Sequence, residues 1–531
     1  MSELRLIWPL LVLLAGALAI PRFRPWLGRP GRAFLVLATG AAAFALVLGN
    51  SRLLPASWTL STWFGAGTGE ELRLAAGAET GALALLVTFV TLALCLGSLD
   101  EPRDGSRADD DSASLLVAGA ALVAVLLAAN FLTLLYAFVF LDLALLYAFG
   151  LFGRGRWPLA AMVLGAAANV CLFAATLVVW RQAGSIALVA ATGQPVVLRL
   201  LVAAFALRLG VFPFHFWTSS STVPQPHRLV ALVPLATLVG GGVWLARGAQ
   251  LWGPALLPAR VAPLAAVALA LLGLLAWRRT EIATRLAALA AWYGAWLVWA
   301  VAYGRPDLGL LLVAAGTLSL AALALYSGEA GLREGPHLFG LIAAAAAVGL
   351  PGSALFTAGN WLVGQALYRG EPLVALVAVL GLAGATAGVL DLLTNEPSAT
   401  RRPSRWAGVL LLSLAVWPAI GHLSGLWPRP APVTVERFDA TLPLAVRLGP
   451  LLLGWLAGLF VWRIRLVLRP VRGVLDAVAG FASLGWFWRL GARATTVLAS
   501  GVRGAMRVVE GENYGWLLFF VFLALFFLAR G

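Results

Sequence analysis

The chain has 531 residues, of which 61% are hydrophobic and only 11% are charged, and its mean hydropathy is +0.92. A soluble domain carries about 25% charged residues, so this composition excludes an ordinary soluble protein and predicts a polytopic membrane protein. The formal net charge is +15, and all 38 basic residues are arginine. The sequence therefore offers no lysine as a proton carrier. Arginine cannot replace lysine in that role, because it does not deprotonate in proteins.

The remaining composition predicts no chemistry carried out by this chain alone. Cys95 and Cys171 lie in different apolar runs and indicate neither a disulfide framework nor a metal site. The sequence has no cysteine cluster, no glycine-rich dinucleotide loop and no paired haem histidines. We therefore predict no cofactor, no metal, no catalytic site and no nucleic-acid partner, and a lipid bilayer as the environment.

Apolar runs long enough to cross the hydrocarbon core, about 20 residues each, recur along the chain. They predict an all-α polytopic fold with about sixteen spans, at 4–20, 33–50, 80–98, 114–130, 131–152, 157–180, 196–217, 228–246, 261–277, 286–303, 308–326, 337–367, 372–393, 406–424, 445–467 and 513–529. Under this count the arginine-rich loops 21–32, 153–156, 277–285, 400–405 and 463–472 share one side. The positive-inside rule makes that side cytoplasmic, which predicts a bacterial inner-membrane protein with both termini on the opposite side.

The order of the spans predicts five segments. These are an N-terminal three-helix segment (1–112), a first five-helix repeat (113–250), a second five-helix repeat (255–395), two further transmembrane helices (400–468), and a cytoplasmic amphipathic segment with a final span (469–531). Within the last segment, 470–510 mixes apolar residues with regularly spaced arginines, which is typical of a helix lying in the membrane interface. A short re-entrant pair of buried helices is the alternative.

Two of the predicted spans are interrupted at matched places. The seventh contains "AFALRLGVFPFHFW" (204–217), broken at Pro213, and the twelfth contains "AVGLPGSALFTAGNW" (347–361), broken around Pro351. Each is the fourth helix of a five-helix block, and matched breaks in two halves predict inverted repeats. The alternative is two ordinary proline kinks, which membrane helices tolerate.

Two charges fall in the middle of predicted spans. Asp142 is central in span five and Arg208 in span seven, and each alone at mid-bilayer would cost about 2.5–3.5 kcal/mol. We predict that they form an ion pair, which with His215 is the candidate ion-pair or proton-path site. The pair could equally be a static link between helices, or could face a water-filled cavity.

The second half offers weaker polar candidates. Asn360 and Gln365 lie in span twelve, and Asp391 lies near the cytoplasmic end of span thirteen. Polar residues of this kind more often form hydrogen bonds between packed helices than a proton relay.

The run "LRLGVFPFHFWTSSSTVPQPHRLVALVPLATLVGGGVWLAR" (207–247) resembles the antiporter-like subunits of respiratory complex I, Mrp antiporters and membrane-bound hydrogenases. "FVFLDLALLYAF" (138–149) looks like the family's fifth span, with Asp142 where a glutamate is usual, and "AVGLPGSALF" looks like its broken twelfth helix. The arginine-rich 463–510 and the final span resemble the tail of subunit L-like members. The resemblance implies two inverted five-helix repeats, each a potential half-channel, with a glutamate–lysine pair and further lysines or histidines carrying the proton.

This chain departs from the family pattern at the titrating positions. Arg208 stands at the span-seven lysine, Pro234 stands where span eight offers histidine or lysine, and Gly359 or Asn360 stands at the span-twelve lysine. Segment 310–331 lacks the family's histidine and lysine. The departures predict a member whose own proton path is impaired.

We therefore expect an antiporter-like subunit of a multi-subunit ion-translocating or energy-converting complex. One alternative is an active proton or cation translocator that uses Asp142, His215 and water. Another is the membrane scaffold of a two-component inorganic-carbon uptake system. The expected partners are other membrane subunits and, from the arginine-rich tail, a soluble or peripheral protein.

Overall fold

The computed structural model describes residues 3–60, 71–97, 105–150, 157–217, 227–329, 338–350, 353–394 and, with gaps, 444–500. The predicted spans 406–424 and 513–529 lie outside these residues. The described residues up to Ala479 form one compact unit, and the described residues from Gly480 onward belong to a second.

The structure is mostly helical. In chain order the α-helices of the described residues are α1 (Trp8–Phe23), α2 (Arg29–Ser51), α3 (Ala78–Gly97), α4 (Gly105–Leu127), α5 (Phe131–Gly150), α6 (Trp157–Ala183), α7 (Pro195–Leu209), α8 (His227–Val230), α9 (Leu232–Leu235), α10 (Val243–Trp252), α11 (Ala262–Arg278), α12 (Ile282–Ala302), α13 (Pro306–Glu329), α14 (Leu338–Ala347), α15 (Ala354–Tyr368), α16 (Pro372–Thr394), α17 (Leu444–Arg463) and α18 (Arg472–Ala482). Among the described residues, ten helical stretches are long and apolar enough to cross a membrane. The chain is therefore a multi-pass membrane protein, while the total of sixteen spans stays a prediction.

The all-α prediction was wrong in one place, because the loop after α2 contains a small antiparallel sheet. Strand β1 (Ala56–Leu60) pairs with β2 (Leu72–Ala76), and Trp58 lies opposite Leu74. The connection between α4 and α5 secures β2, since Ala129 N–H donates to the Arg73 carbonyl. Two five-residue strands with no long alternating pattern are easily read as loop, because tertiary contacts stabilise them more than local propensity does.

The predicted span 228–246 is present, since Leu232–Ala255 is one of the ten stretches, but its helix is irregular. The structure divides this region into α8, α9, a π-helical turn (Ala236–Gly242) and α10. Pro234 has no N–H to donate within a helix, and Thr237 Oγ1 caps carbonyls of the preceding turn by donating to Val233 O and Pro234 O. π-Helical turns occur as local insertions inside longer helices, which accounts for the altered geometry here.

The helix before each interruption is followed by a left-handed glycine. Helix α7 ends at Leu209 because Gly210 adopts a left-handed conformation (φ 61°), available to glycine at little cost. Helix α14 ends at Ala347, and Gly349 is left-handed as well (φ 74°). After the second interruption, Ser353 Oγ accepts from Phe356 N–H and so caps the start of α15.

A ladder of glycines brings α11 and α16 into backbone contact. A Cβ atom built on Gly381 would lie 2.6 Å from the backbone of Leu269, and one on Gly388 would lie 2.7 Å from the backbone of Ala276. In lipid, helices associate through close packing of small residues. This crossing holds together the helices that flank α12.

Candidate functional site

The predicted ion pair is present, and it joins α5 to α7. Arg208 Nη1 donates to Asp142 Oδ1 at 2.9 Å, and Arg208 Nη2 donates to Asp142 Oδ2 at 2.8 Å. The side chains are 5% and 18% exposed, respectively. This two-point geometry suits the planar guanidinium and fixes both side chains more strongly than a single contact would.

Asn169 of α6 completes the site. Its Oδ1 accepts from Arg208 Nη2 at 2.7 Å, while its Nδ2 donates to Asp142 Oδ2 at 2.8 Å. The amide therefore binds both charged partners at once. Asn169 was not among the predicted site residues, and its only signal in the sequence is an amide within the apolar run "AAANVCLF" of span six.

The surroundings fit this cluster closely. The Arg208 guanidinium carbon lies 4.0 Å from the centre of the Phe138 ring, a cation–π contact. A Cβ atom on Gly165 would lie 2.7 Å from Asp142 Oδ1, so the missing side chain makes room for the carboxylate. A Cβ on Gly241 of the π-helical turn would overlap the backbone of α7 at Arg208 and Leu209. The π-helical turn and the glycine thus hold the last turn of α7 in place.

His215 lies beyond the end of α7, in the short 3-10 turn Phe214–Trp217. Its ring is 1% exposed and stacks on Phe212, with ring centres 5.5 Å apart. Pro213 separates the two, after the Gly210 cap has already ended the helix. The interruption therefore begins at Gly210, ahead of the predicted Pro213, while Pro351 lies outside the described residues.

The polar candidates of the second half do not form one cluster. Asp391 Oδ1 accepts from Arg465 Nη1 at 2.5 Å, which ties α16 to the segment after α17. Asn360 and Gln365 are half-buried on α15. Asp391 therefore acts in helix packing in this structure.

The second half does contain a buried polar cluster, and none of its residues was a predicted site residue. Tyr293 of α12 is completely buried; its hydroxyl lies 3.2 Å from Ser319 Oγ of α13 and donates to the Ala347 carbonyl of α14 at 2.9 Å. Ser319 Oγ in turn contacts the Ala315 carbonyl. Ala347 is the last residue of α14, so Tyr293 satisfies a carbonyl at the interruption.

The two clusters occupy the same place in helix order. Asp142, Asn169 and Arg208 lie on α5, α6 and the helix that ends at the first interruption. Tyr293, Ser319 and the last carbonyl of α14 lie on α12, α13 and the helix that ends at the second. The first cluster is an ion pair with an amide, and the second consists of neutral groups.

Comparison with known proteins gives matches by structure. No protein-family model matches the sequence, and a search of curated proteins found no significant match. A chain of the Mrp complex from Dietzia sp. DQ12-45-1b is 18% identical with a TM-score of 0.79, over 98% of this chain and 62% of that chain. This chain therefore spans under two thirds of that Mrp chain.

Two further solved structures share the fold. A chain of the membrane-bound sulfane sulfur reductase, an archaeal respiratory membrane complex, is 16% identical with a TM-score of 0.73, over 98% of this chain and 99% of that chain. A chain of respiratory complex I from Thermus thermophilus is 20% identical with a TM-score of 0.62, over 79% of this chain and 98% of that chain. These likenesses confirm the antiporter-like subunit fold that the sequence motifs implied.

Proposed function

We propose that this chain is an antiporter-like membrane subunit of a multi-subunit ion-translocating or energy-converting complex, and that it has no complete proton path of its own. We further propose sixteen spans arranged around two inverted five-helix repeats (113–250 and 255–395), with the N-terminal segment 1–112 and the later segments 400–468 and 469–531 outside them. The structural relatives are chains of multi-subunit membrane complexes, which supports the first part.

The single observation that carries the impaired path is the state of Arg208. A relay needs groups that take up and release a proton during turnover, whereas arginine keeps its proton in proteins. Arg208 also donates to both oxygens of Asp142, and Asn169 occupies a further hydrogen-bonding position on the carboxylate. A proton arriving at Asp142 would have to displace a fixed positive charge.

The second cluster supports the same proposal. Tyr293 and Ser319 are neutral hydroxyls within hydrogen-bonding distance of each other and of backbone carbonyls. Among the described side chains of α12, α13 and α14, no charged pair occupies the place that Asp142 and Arg208 hold in the first half. We infer that the chain keeps the architecture of the fold and supplies an interface to subunits that carry the ion.

We also propose a bacterial inner-membrane location, and partners that include membrane subunits and a soluble or peripheral protein docked at 463–510. Arg278 of α11 pairs with Asp476 of α18, so the described start of this region is tied to the helix bundle. An arginine-rich segment at the predicted cytoplasmic face suits an acidic partner surface.

Two measurements test the proposal. Purification of the tagged chain in mild detergent should recover other membrane subunits, and proteoliposomes of the chain alone should show no proton flux above empty liposomes under a pH gradient or voltage. Asp142→Asn is the test variant, and Asp307→Asn, which removes a partly exposed carboxylate paired with Arg305 in the first turn of α13, is its control. Robust flux that Asp142→Asn abolishes and Asp307→Asn retains would show an active translocator. Recovery of a soluble partner without any membrane subunit would favour the scaffold alternative.

A further inference from the structure

The turn between α1 and α2 concentrates positive charge at one end of these two helices. Residues 21–32, here called the basic turn, contain four arginines and no acidic residue. Arg22 and Arg29 are exposed, while Arg24 and Arg32 are partly buried. Asp110 of α4 lies within electrostatic range of Arg24. The basic turn therefore presents a positive surface on which Arg22 and Arg29 are the exposed charges.

The basic turn also exposes two aromatic side chains. Trp26 is 73% exposed, the highest value among the described tryptophans, and Phe23 is 42% exposed. Their ring centres are 5.8 Å apart. Backbone hydrogen bonds fix the turn, since the Phe23 carbonyl accepts from Trp26 N–H at 3.0 Å and from Leu27 N–H at 2.9 Å. A large apolar surface is thus held beside the exposed arginines.

Both helices that meet at the basic turn have uncovered apolar faces. Leu18 of α1 is 74% exposed, and Phe34 of α2 is 73% exposed. Only 28% of the membrane-spanning window of α2 is buried within the chain, the lowest share among the ten candidate spans of the described residues. These faces are suited to contact with acyl chains, so the basic turn lies where the acyl region meets the headgroups.

The combination of exposed arginines and exposed aromatic rings suits the headgroup layer of a membrane. Among acyl chains the guanidinium groups would lose their hydration, and in bulk water the rings would leave apolar surface uncovered. Tryptophan favours the membrane–water interface, and arginine near the membrane surface is attracted to anionic lipids. Because residues 21–32 carry no acidic side chain, anionic headgroups fit the turn better than zwitterionic ones.

We propose that the basic turn binds the headgroups of anionic phospholipids, with Arg22 and Arg29 attracting the phosphate groups and Trp26 lying at the headgroup level. An acidic soluble protein would satisfy the arginines. However, the apolar surface of Trp26 continues into the uncovered faces of α1 and α2, which a soluble protein does not reach. This inference concerns the lipid around the chain and does not rest on the proposed function.

Fluorine NMR of the Trp26 ring tests the proposal. The full chain, labelled with 5-fluorotryptophan, is placed in phosphatidylcholine nanodiscs in which phosphatidylglycerol replaces a rising fraction of the lipid, and Trp26→Phe assigns the signal. We expect the Trp26 signal to shift as phosphatidylglycerol increases, while that of the buried Trp244 stays in place. Arg22→Gln and Arg29→Gln should each raise the phosphatidylglycerol fraction at half of the shift about fivefold.

Two matched variants separate the charge of the basic turn from other effects. Arg52→Gln removes an exposed arginine at the other end of α2 and should leave the half-point unchanged, while Arg22→Lys keeps the charge and should behave like the unsubstituted chain. A Trp26 signal that ignores phosphatidylglycerol, or a half-point that neither Arg22→Gln nor Arg29→Gln alters, would overturn the proposal. An equal shift when inorganic phosphate is added to phosphatidylcholine nanodiscs would also overturn it, because a soluble anion would then suffice.

Discussion

Removal of the Asp142 charge gives the most direct measure of the ionic cluster. Asp142 accepts from Arg208 Nη1 and Nη2 at 2.9 and 2.8 Å and from Asn169 Nδ2 at 2.8 Å. Asp142→Asn preserves the shape of the side chain but leaves Arg208, which is 5% exposed, with a buried charge and no counter-ion in the cluster. Breaking a buried pair in this way costs about 3–5 kcal/mol.

The double variant separates the cost of a buried unpaired charge from the interaction energy of the Asp142–Arg208 pair. Arg208→Gln alone leaves Asp142 as the unpaired charge, so it should also destabilise the fold. Asp142→Asn with Arg208→Gln removes both charges, and two amides can still bond to Asn169. We expect the double variant to be more stable than the sum of the two single effects predicts, with a coupling of about 2–3 kcal/mol.

Equilibrium unfolding in mixed detergent micelles measures these free energies, followed by tryptophan fluorescence. Asp307→Asn is the control, because the Asp307 side chain is 34% exposed against 18% for Asp142, so the loss of its charge should cost less. An effect of Asp142→Asn no larger than that control, or simple additivity in the double variant, would refute the idea that burial makes this pair interdependent.

Three other predictions concern parts of the fold that support the site. Gly381→Ala should destabilise the α11–α16 crossing by about 1–3 kcal/mol, because its Cβ would overlap the α11 backbone, whereas Gly49→Ala, which meets open space, should be neutral or stabilising in the same unfolding assay. Tyr303→Phe should destabilise the fold by about 1–3 kcal/mol, because it removes the hydrogen bond that the Tyr303 hydroxyl donates to Glu371 Oε2 at 2.6 Å, and the same unfolding assay measures this loss. Ser353→Ala should cost about 1 kcal/mol by removing the cap of α15, which thermal unfolding can detect.

The sequence was sufficient for the ion pair because burial of a charge in lipid is costly. Asp142 and Arg208 lie in two different apolar runs, and the simplest remedy for both is mutual contact. The same reasoning could not find Asn169, since a neutral amide in an apolar helix can face a neighbour, lipid or water at moderate cost. Only the packing of α6 against α5 and α7 selects its partners.

Helix termini and irregular turns were harder to predict, because they too depend on contacts between helices that the sequence does not show. Pro213 marked the first interruption, but the left-handed Gly210 ends α7 earlier. Pro234 was recognised as a departure from the family, yet the π-helical turn that follows depends on how Gly241 packs against α7. Tyr293 reads as an ordinary core aromatic in sequence, and its role at the second interruption becomes visible only when the Ala347 carbonyl lies beside it.

The charges of the two buried clusters give a physical reason for the proposed loss of transport. In the first cluster, Asp142 and Arg208 neutralise each other; in the second, Tyr293 and Ser319 carry no charge. A cation that entered either place would be an uncompensated charge in a medium of low dielectric constant, which is expensive. A lysine at position 208 could relieve this by giving up its proton as the cation arrives, but arginine stays charged. The chain thus retains the electrostatic attraction that holds α5, α6 and α7 together, without the change of protonation that a relay needs.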